Sequence, residues 1–318
     1  MRTIDIHAHT VPQCFQRDVL RNRKWHNMTS SEGELFNPRV NWTPEERIAE
    51  MDSMGMDVQV VSTNVGFYKY DENLVTAIAI ARDCNDELHQ MTMDYPDRLA
   101  GLATIPMQNI RSAINEMERA VMTLGFKGVM IDDKVNGHTY DEPEFLPFWK
   151  AAEAMGAFVL IHQAYPTVVS DRLNRYHLPN SIGNLADRTI TFAAMVFGGV
   201  MDKCPDLKIC LCHGGGYTCY AIGRMDRGWQ VRPEARQHIN QPPSEYLRRF
   251  YYDCLTQSEP ALRYLIDTVG ADRVVLGTDW PADMCIDWPV SWIQNLDSIT
   301  REEKDMILWE NLERLLGL

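Results

Sequence analysis

The chain has 318 residues, 45% of them hydrophobic and 24% charged, with 44 acidic against 31 basic side chains and a formal charge of −13. That mixture can bury a large core and lacks the basic footprint of a nucleic-acid or anionic-membrane binder. An anionic ligand must be drawn in by local arginines, because the overall field repels it.

The opening MRTIDIHAHT carries acid and histidine where a secretory segment needs an apolar run. No stretch reaches the roughly 18 apolar residues of a membrane span. From there short β-branched runs alternate with amphipathic stretches along the whole chain. The predicted strands are 3–9, 58–63, 99–106, 128–132, 157–163, 207–213, 250–254 and 273–279. Helical patterning fills the gaps, as in Ile114, Met117, Val121 and Leu124 before Gly125, or Phe145, Trp149, Ala152 and Met155 before Gly156. Glycine just past the last apolar repeat is the expected helix stop. Eight strands, each followed by a helix, predict a (β/α)₈ TIM barrel forming one domain over 1–318, with its active site at the C-terminal strand ends. Two connections exceed plain loops, 10–41 after strand 1 and 164–184 after strand 5; both are expected to be insertions that decorate the site. The eight scattered cysteines read as buried thiols of a reducing cytoplasm, with Cys210 and Cys212 on a buried strand rather than a metal knuckle.

Strand ends carry the chemistry. His7 and His9 are two residues apart, so both project from one face of strand 1. Strand 5 ends in His162, strand 6 in His213 followed by Gly214, Gly215 and Gly216, and strand 8 in Asp279. Four of nine histidines and one carboxylate thus gather on one rim, a donor set suited to a divalent metal. His26, His89, His138, His177 and His238 lie in polar loops or a helix and read as solvated or locally bonded.

Together, His7-x-His9, His162, His213 and Asp279 resemble the metal-dependent amidohydrolase superfamily, specifically the mononuclear decarboxylase branch typified by 2-amino-3-carboxymuconate-6-semialdehyde decarboxylases. Trp42-Thr-Pro-Glu-Glu-Arg47, Met54-Gly-Met-Asp-Val-Gln-Val60, His213-Gly-Gly-Gly216 through Gly223-Arg224, Pro243-Ser-Glu-Tyr246 and Gly277-Thr-Asp-Trp-Pro281 extend the likeness over nearly the whole chain. The resemblance implies that His7, His9, His162 and Asp279 hold one divalent ion, Zn²⁺ ahead of Mn²⁺. It makes His213 the catalytic acid/base, with Asp279 as ligand and proton shuttle. It assigns a substrate carboxylate to Arg47 and to Arg224, the latter reaching in from a neighbouring subunit of a homodimer or larger homo-oligomer. The expected activity is non-oxidative decarboxylation of an unsaturated or aromatic (di)carboxylic acid. The rival is a hydrolase or hydratase built on the same centre; a binuclear hydrolase would need a bridging residue ending strand 4, where Lys134 is the candidate but its loop position reads as a solvated lysine.

Residue chemistry alone reads Arg47 and Arg224 differently. Thr43-Pro44-Glu45-Glu46 is a capping box, so Arg47 falls in the first helical turn, where a cation opposes the helix dipole and a solvated side chain is the default. Arg224 has Asp226 nearby as an ion-pair partner. Three segments depart from the branch: Gln163-Ala164-Tyr165 after the strand-5 histidine, Trp280-Pro281-Ala282-Asp283 around strand 8, and Glu34-Leu35-Phe36, which lacks a lysine.

Overall fold

A computed structural model describes residues 2–29, 39, 42–172 and 174–318; the Glu34-Leu35-Phe36 segment lies outside them. Eight parallel strands follow one another in sheet order: β1 Ile4–Thr10, β2 Val58–Thr63, β3 Leu99–Thr104, β4 Gly128–Ile131, β5 Phe158–Ile161, β6 Lys208–Leu211, β7 Tyr251–Asp253 and β8 Val274–Val275. The ring closes between first and last: Ile6 N donates to the Leu276 carbonyl at 3.0 Å, and Asp279 N donates to the His7 carbonyl at 2.8 Å. All eight predicted strands exist, most of them shorter than predicted. The predicted runs end on the rim, where His162 N still donates to the Ile131 carbonyl at 2.8 Å and His213 follows Cys212 just beyond β6.

Among the described residues, the α-helices longer than four residues are α1 Gln13–Val19, α2 Pro44–Met54, α3 Leu74–Asp94, α4 Ile110–Met122, α5 Leu146–Met155, α6 Leu185–Phe197, α7 Thr218–Val231, α8 Glu259–Val269, α9 Pro289–Gln294, α10 Arg301–Asp305 and α11 Asn311–Leu316. Local chemistry sets their ends. Thr43 Oγ1 accepts from Glu46 N while the Glu46 carboxylate accepts from Thr43 N, Pro44 opens α2, and Gly55 closes it at φ 73°. Every strand is buried on both faces apart from its ends, which is why these runs read as near-continuous apolar stretches.

The insertion after β1 is pinned by a satellite cluster in which Val11, Phe15, Trp25 and Met28 pack on Phe67 and Ile80. The insertion after β5 ends in a π-turn, Pro179–Asn184, that leads directly into α6. Both cover the rim. Cys210 and Cys212 are buried, as expected, and the eight cysteines are free thiols.

Candidate metal centre

On the rim, β1 carries a register shift: Asp5 pairs with Gln59 and Ala8 with Val61, so one extra residue bulges between them. Asp5 stabilises that bulge. Its carboxylate accepts from His7 N, Thr278 N, Thr278 Oγ1 and Gln59 Nε2, knitting β1 to β2 and to the end of β8. Burial pushes the Asp5 carboxyl up to about 6. Both strand-1 histidines then project into the barrel mouth.

Each of the three imidazoles spends its Nδ1 on the protein. His7 Nδ1 donates to Asp253 Oδ2 at 2.8 Å, His9 Nδ1 to Ser62 Oγ at 3.1 Å, and His162 Nδ1 to the Gln163 carbonyl at 3.1 Å. With Nδ1 protonated, the three Nε2 lone pairs face inward. They meet one oxygen. Asp279 Oδ1 lies 3.2 Å from His7 Nε2, 3.1 Å from His9 Nε2 and 3.6 Å from His162 Nε2. The Nε2 atoms of His7 and His162 are buried and have no hydrogen-bond partner. Three lone pairs and an anionic oxygen crowded around one point repel one another unless a cation sits between them. The four donor atoms lie within 4.8 Å of one another, a spacing that bonds of roughly 2.0–2.2 Å to a central ion span. The donor set fits a divalent metal.

The electrostatics agree. Burial pushes His9 and His162 down, keeping them neutral as ligands must be. Burial opposes ionisation of Asp279, but the surrounding imidazoles, His7 foremost, outweigh it and hold the carboxyl well below its ordinary range. His7 goes the other way: burial disfavours its protonation, yet Cys212, Asp279 and Asp253 outweigh that and raise it. The centre demands positive charge beside Asp279.

His213 stands next to this cluster. Its Nε2 lies 3.4 Å from Asp279 Oδ2, the oxygen turned away from the three imidazoles, and its Nδ1 is buried without a partner. Both His213 and Asp279 hold left-handed backbone, at φ 56° and 61°, conformations that cost about 1–3 kcal/mol each and gather at functional sites. The glycines after His213 answer protein neighbours, not a ligand: a Cβ on Gly216 would meet the Leu185 carbonyl at 2.1 Å, and one on Gly215 the Tyr252 ring at 2.4 Å.

The arginines are placed apart. Arg47 is 4% exposed, not solvated: Nη1 donates to Gln59 Oε1 at 2.9 Å, Nη2 donates to the His9 carbonyl, and the guanidinium stacks 4.1 Å over Trp280. Burial pushes it down to about 9. Arg224 is exposed on α7, and among the described residues it has no hydrogen-bond or ion-pair partner. Asp226 instead accepts from Ser244 N at 2.9 Å, so the expected ion pair is not formed.

Lys134 is tied up away from the donor set. Its Nζ donates to the Pro166 carbonyl at 2.8 Å and lies 3.3 Å from Asp187, while β4 turns Met130 toward Ser62 beneath His9. No second-metal bridge is built there. The departure at Gln163 has its own partner, since Gln163 Oε1 accepts from buried Arg188 at 2.6 Å while Arg188 also donates to Asp133 at 2.8 Å.

Sequence reasoning missed Asp253, Asp5 and Ser62. Asp253 ends β7, orients His7, and accepts from Gly214 N at 2.8 Å, tying the His213 turn to His7. A carboxylate closing an otherwise apolar strand was the available signal.

Comparison with known proteins places this geometry. A family described as amidohydrolase matches residues 4–318. A 2-amino-3-carboxymuconate-6-semialdehyde decarboxylase of Dictyostelium discoideum is 34% identical over 278 residues, 87% of this chain and 77% of that protein. A gamma-resorcylate decarboxylase of Polaromonas sp. is 28% identical, covering 86% and 87% of the two chains. The solved structure of 5-carboxyvanillate decarboxylase from Sphingomonas paucimobilis matches with TM-score 0.87 at 27% identity, over 100% of this chain and 99% of that one. A dihydroxybenzoic acid decarboxylase from Polaromonas sp. JS666, solved with bound manganese, shares the fold at TM-score 0.85 and 24% identity, over 100% and 97%. The chain belongs to the amidohydrolase family, in its branch of metal-dependent, non-oxidative decarboxylases.

Proposed function

We propose that the substrate is an aromatic or unsaturated carboxylic acid bound at a single divalent ion held by His7, His9, His162 and Asp279. The carrying observation is the convergence of three inward Nε2 lone pairs on Asp279 Oδ1. Such an ion, when bound, supplies Lewis acidity to substrate oxygens and lowers the pKa of nearby water. His213 moves the proton. When the bond to the carboxylate carbon breaks, CO₂ leaves and the electron pair stays on the substrate carbon, which takes a proton in its place. His213 Nε2 borders the open cavity, and Asp279 Oδ2 at 3.4 Å is positioned to exchange that proton with it. Arg47 has five N–H groups and donates two of the observed bonds to the protein, leaving donors for a carboxylate. Arg224, exposed and without a partner among the described residues, supplies the second cation from a neighbouring subunit of a homodimer.

The three imidazoles favour Zn²⁺ over Mn²⁺, although the manganese in a protein of the same fold makes Mn²⁺ the rival. Free cysteines along the chain support a cytoplasmic site of action. The test is incubation of metal-replete protein with phenolic acids, carboxymuconates and phthalate-like diacids, scoring CO₂ release beside water addition and metal content. One ion per chain with CO₂ release is expected; hydration or hydrolysis without CO₂ overturns the reading.

A further inference from the structure

The three ligand imidazoles are not oriented alike. Side chains from other strands take the Nδ1 protons of His7 and His9, Asp253 of β7 and Ser62 of β2. His162 instead donates to the backbone of its own neighbour, the Gln163 carbonyl, at 3.1 Å. That carbonyl is one end of a planar, rigid peptide unit, and the Ala164 N–H is the other. The Ala164 N–H donates to Asp132 Oδ1 at 2.7 Å. Holding the N–H end fixes the direction of the carbonyl end, so Asp132 aims His162 at one remove.

Asp132 is itself held. It follows directly on β4, which pairs with β5 up to Ile131 opposite Ile161, and its Oδ1 also accepts from Asp133 N at 2.7 Å. The next aspartate secures the Gln163 side chain. Arg188 of α6, fully buried, forks between Asp133 Oδ1 at 2.8 Å and Gln163 Oε1 at 2.6 Å, while Thr191 Oγ1 donates to the same Asp133 oxygen at 2.7 Å. The Tyr68 hydroxyl completes the brace by donating to the His162 carbonyl at 3.0 Å. A buried ion pair gains little net stability over apolar side chains of the same volume. This one fixes the residue next to a metal donor, in the segment where the chain departs from its branch. Neither Asp132 nor Arg188 lines the cavity beside His213.

We propose that Asp132 is a positioning residue for His162, acting through the Gln163–Ala164 peptide, with Arg188 fixing the Gln163 side chain beside it. The inference rests on His162 being a metal ligand and extends that reading to what orients it. Asp132 does for His162 through one peptide what Asp253 does for His7 directly. A hydrogen bond at the N–H end also strengthens the carbonyl as an acceptor, which makes the imidazole a better donor to a metal.

The test titrates metal-free, full-length protein with Co²⁺ in chelator competition, records the visible ligand-field bands at saturating Co²⁺, and measures thermal unfolding without metal. Asp132→Ala is expected to weaken Co²⁺ binding about 10–100-fold and to shift the bands even at saturation. Asp132→Asn, whose Oδ1 accepts the same Ala164 proton, is expected to stay within about fivefold of wild type with unchanged bands. Asp132→Ser, whose oxygen falls short of Ala164 N, carries the alanine expectations where the alanine variant does not fold. Wild-type affinity and bands in the alanine or serine variant overturn the proposal. So does an asparagine variant as weak as alanine, because charge rather than the hydrogen bond would then be at work. Loss of metal-free stability with unaltered affinity and bands reduces Asp132 to a structural brace and overturns it as well. His162→Ala separates this from the ligand reading. Wild-type Co²⁺ affinity there removes His162 from the donor set, whereas loss of the ion there, with Asp132→Ala unaffected, sinks the positioning role alone.

Discussion

Asp253, Ser62 and the Gln163 carbonyl each take one imidazole proton, and by doing so they decide which nitrogen of His7, His9 and His162 faces the centre. On the proposed ligand set, removing His162 deletes one metal donor. His162→Ala is expected to lose the metal and nearly all activity at near-native melting temperature, read by metal analysis and calorimetry. Full occupancy in both His7→Ala and Asp279→Ala would sink the ligand set. Asp253→Ala leaves every ligand in place but frees the His7 ring, so metal affinity should fall about 10–100-fold in chelator competition, with Asn recovering part of it by accepting the same proton. His213 lies beside the fourfold donor set, so His213→Ala should keep the ion and lose at least about a hundredfold in rate. A metal-free His213→Ala protein would make it a ligand instead.

Elements position these residues by ending early. β5 stops at Ile161 and β6 at Leu211, so His162 and His213 fall just past the strand ends, on the rim. Around the outside, α8 and α10 are tied by Arg263, whose Nη1 and Nη2 donate to the two oxygens of Glu303 at 2.9 Å each, and whose Nη1 also donates to the Ser298 carbonyl. That forked bond holds the Glu303 carboxyl below the ordinary glutamate range. A depressed carboxyl stabilises the fold above its unfolded pKa, about 4.3, and the contribution fades as pH falls through the lower folded value. Glu303→Gln is thus expected to cost about 1 kcal/mol at pH 7 and little at pH 3, measured by urea unfolding. Equal cost at both pH values would show that packing, not charge, links these helices.

At the scale of the whole molecule, a charge of −13 repels the proposed substrate, so the few cations near the rim matter disproportionately. Arg47 is committed in part to His9 and Gln59, and Arg224 has no hydrogen-bond or ion-pair partner among the described residues. Exposed Tyr217, Tyr220 and Tyr264 surround the cavity mouth, an apolar collar suited to burial against a second copy. Mixing inactive Arg224→Ala with inactive His213→Ala protein should restore activity, since a mixed dimer pairs one doubly damaged site with one intact site. No recovery after verified subunit exchange would place Arg224 outside its neighbour's site.

Local pattern was enough to read eight strands, their helices and the stops at Gly125 and Gly156, because periodicity and capping act within a few residues. It also placed His7, His9, His162, His213 and Asp279 on one rim, since a barrel puts all its strand ends there. What no local pattern carries is the partner supplied by another strand. Asp253 lies 246 residues from the His7 it orients, Gln59 and Trp280 bury an arginine that helix chemistry leaves in solvent, and Pro166 and Asp187 draw Lys134 away from the centre. Ring closure alone creates these neighbours. The amino-acid order therefore determined the architecture and the donor residues, while the tertiary structure decided which atoms face inward, which charges are buried, and how much room lies beyond them.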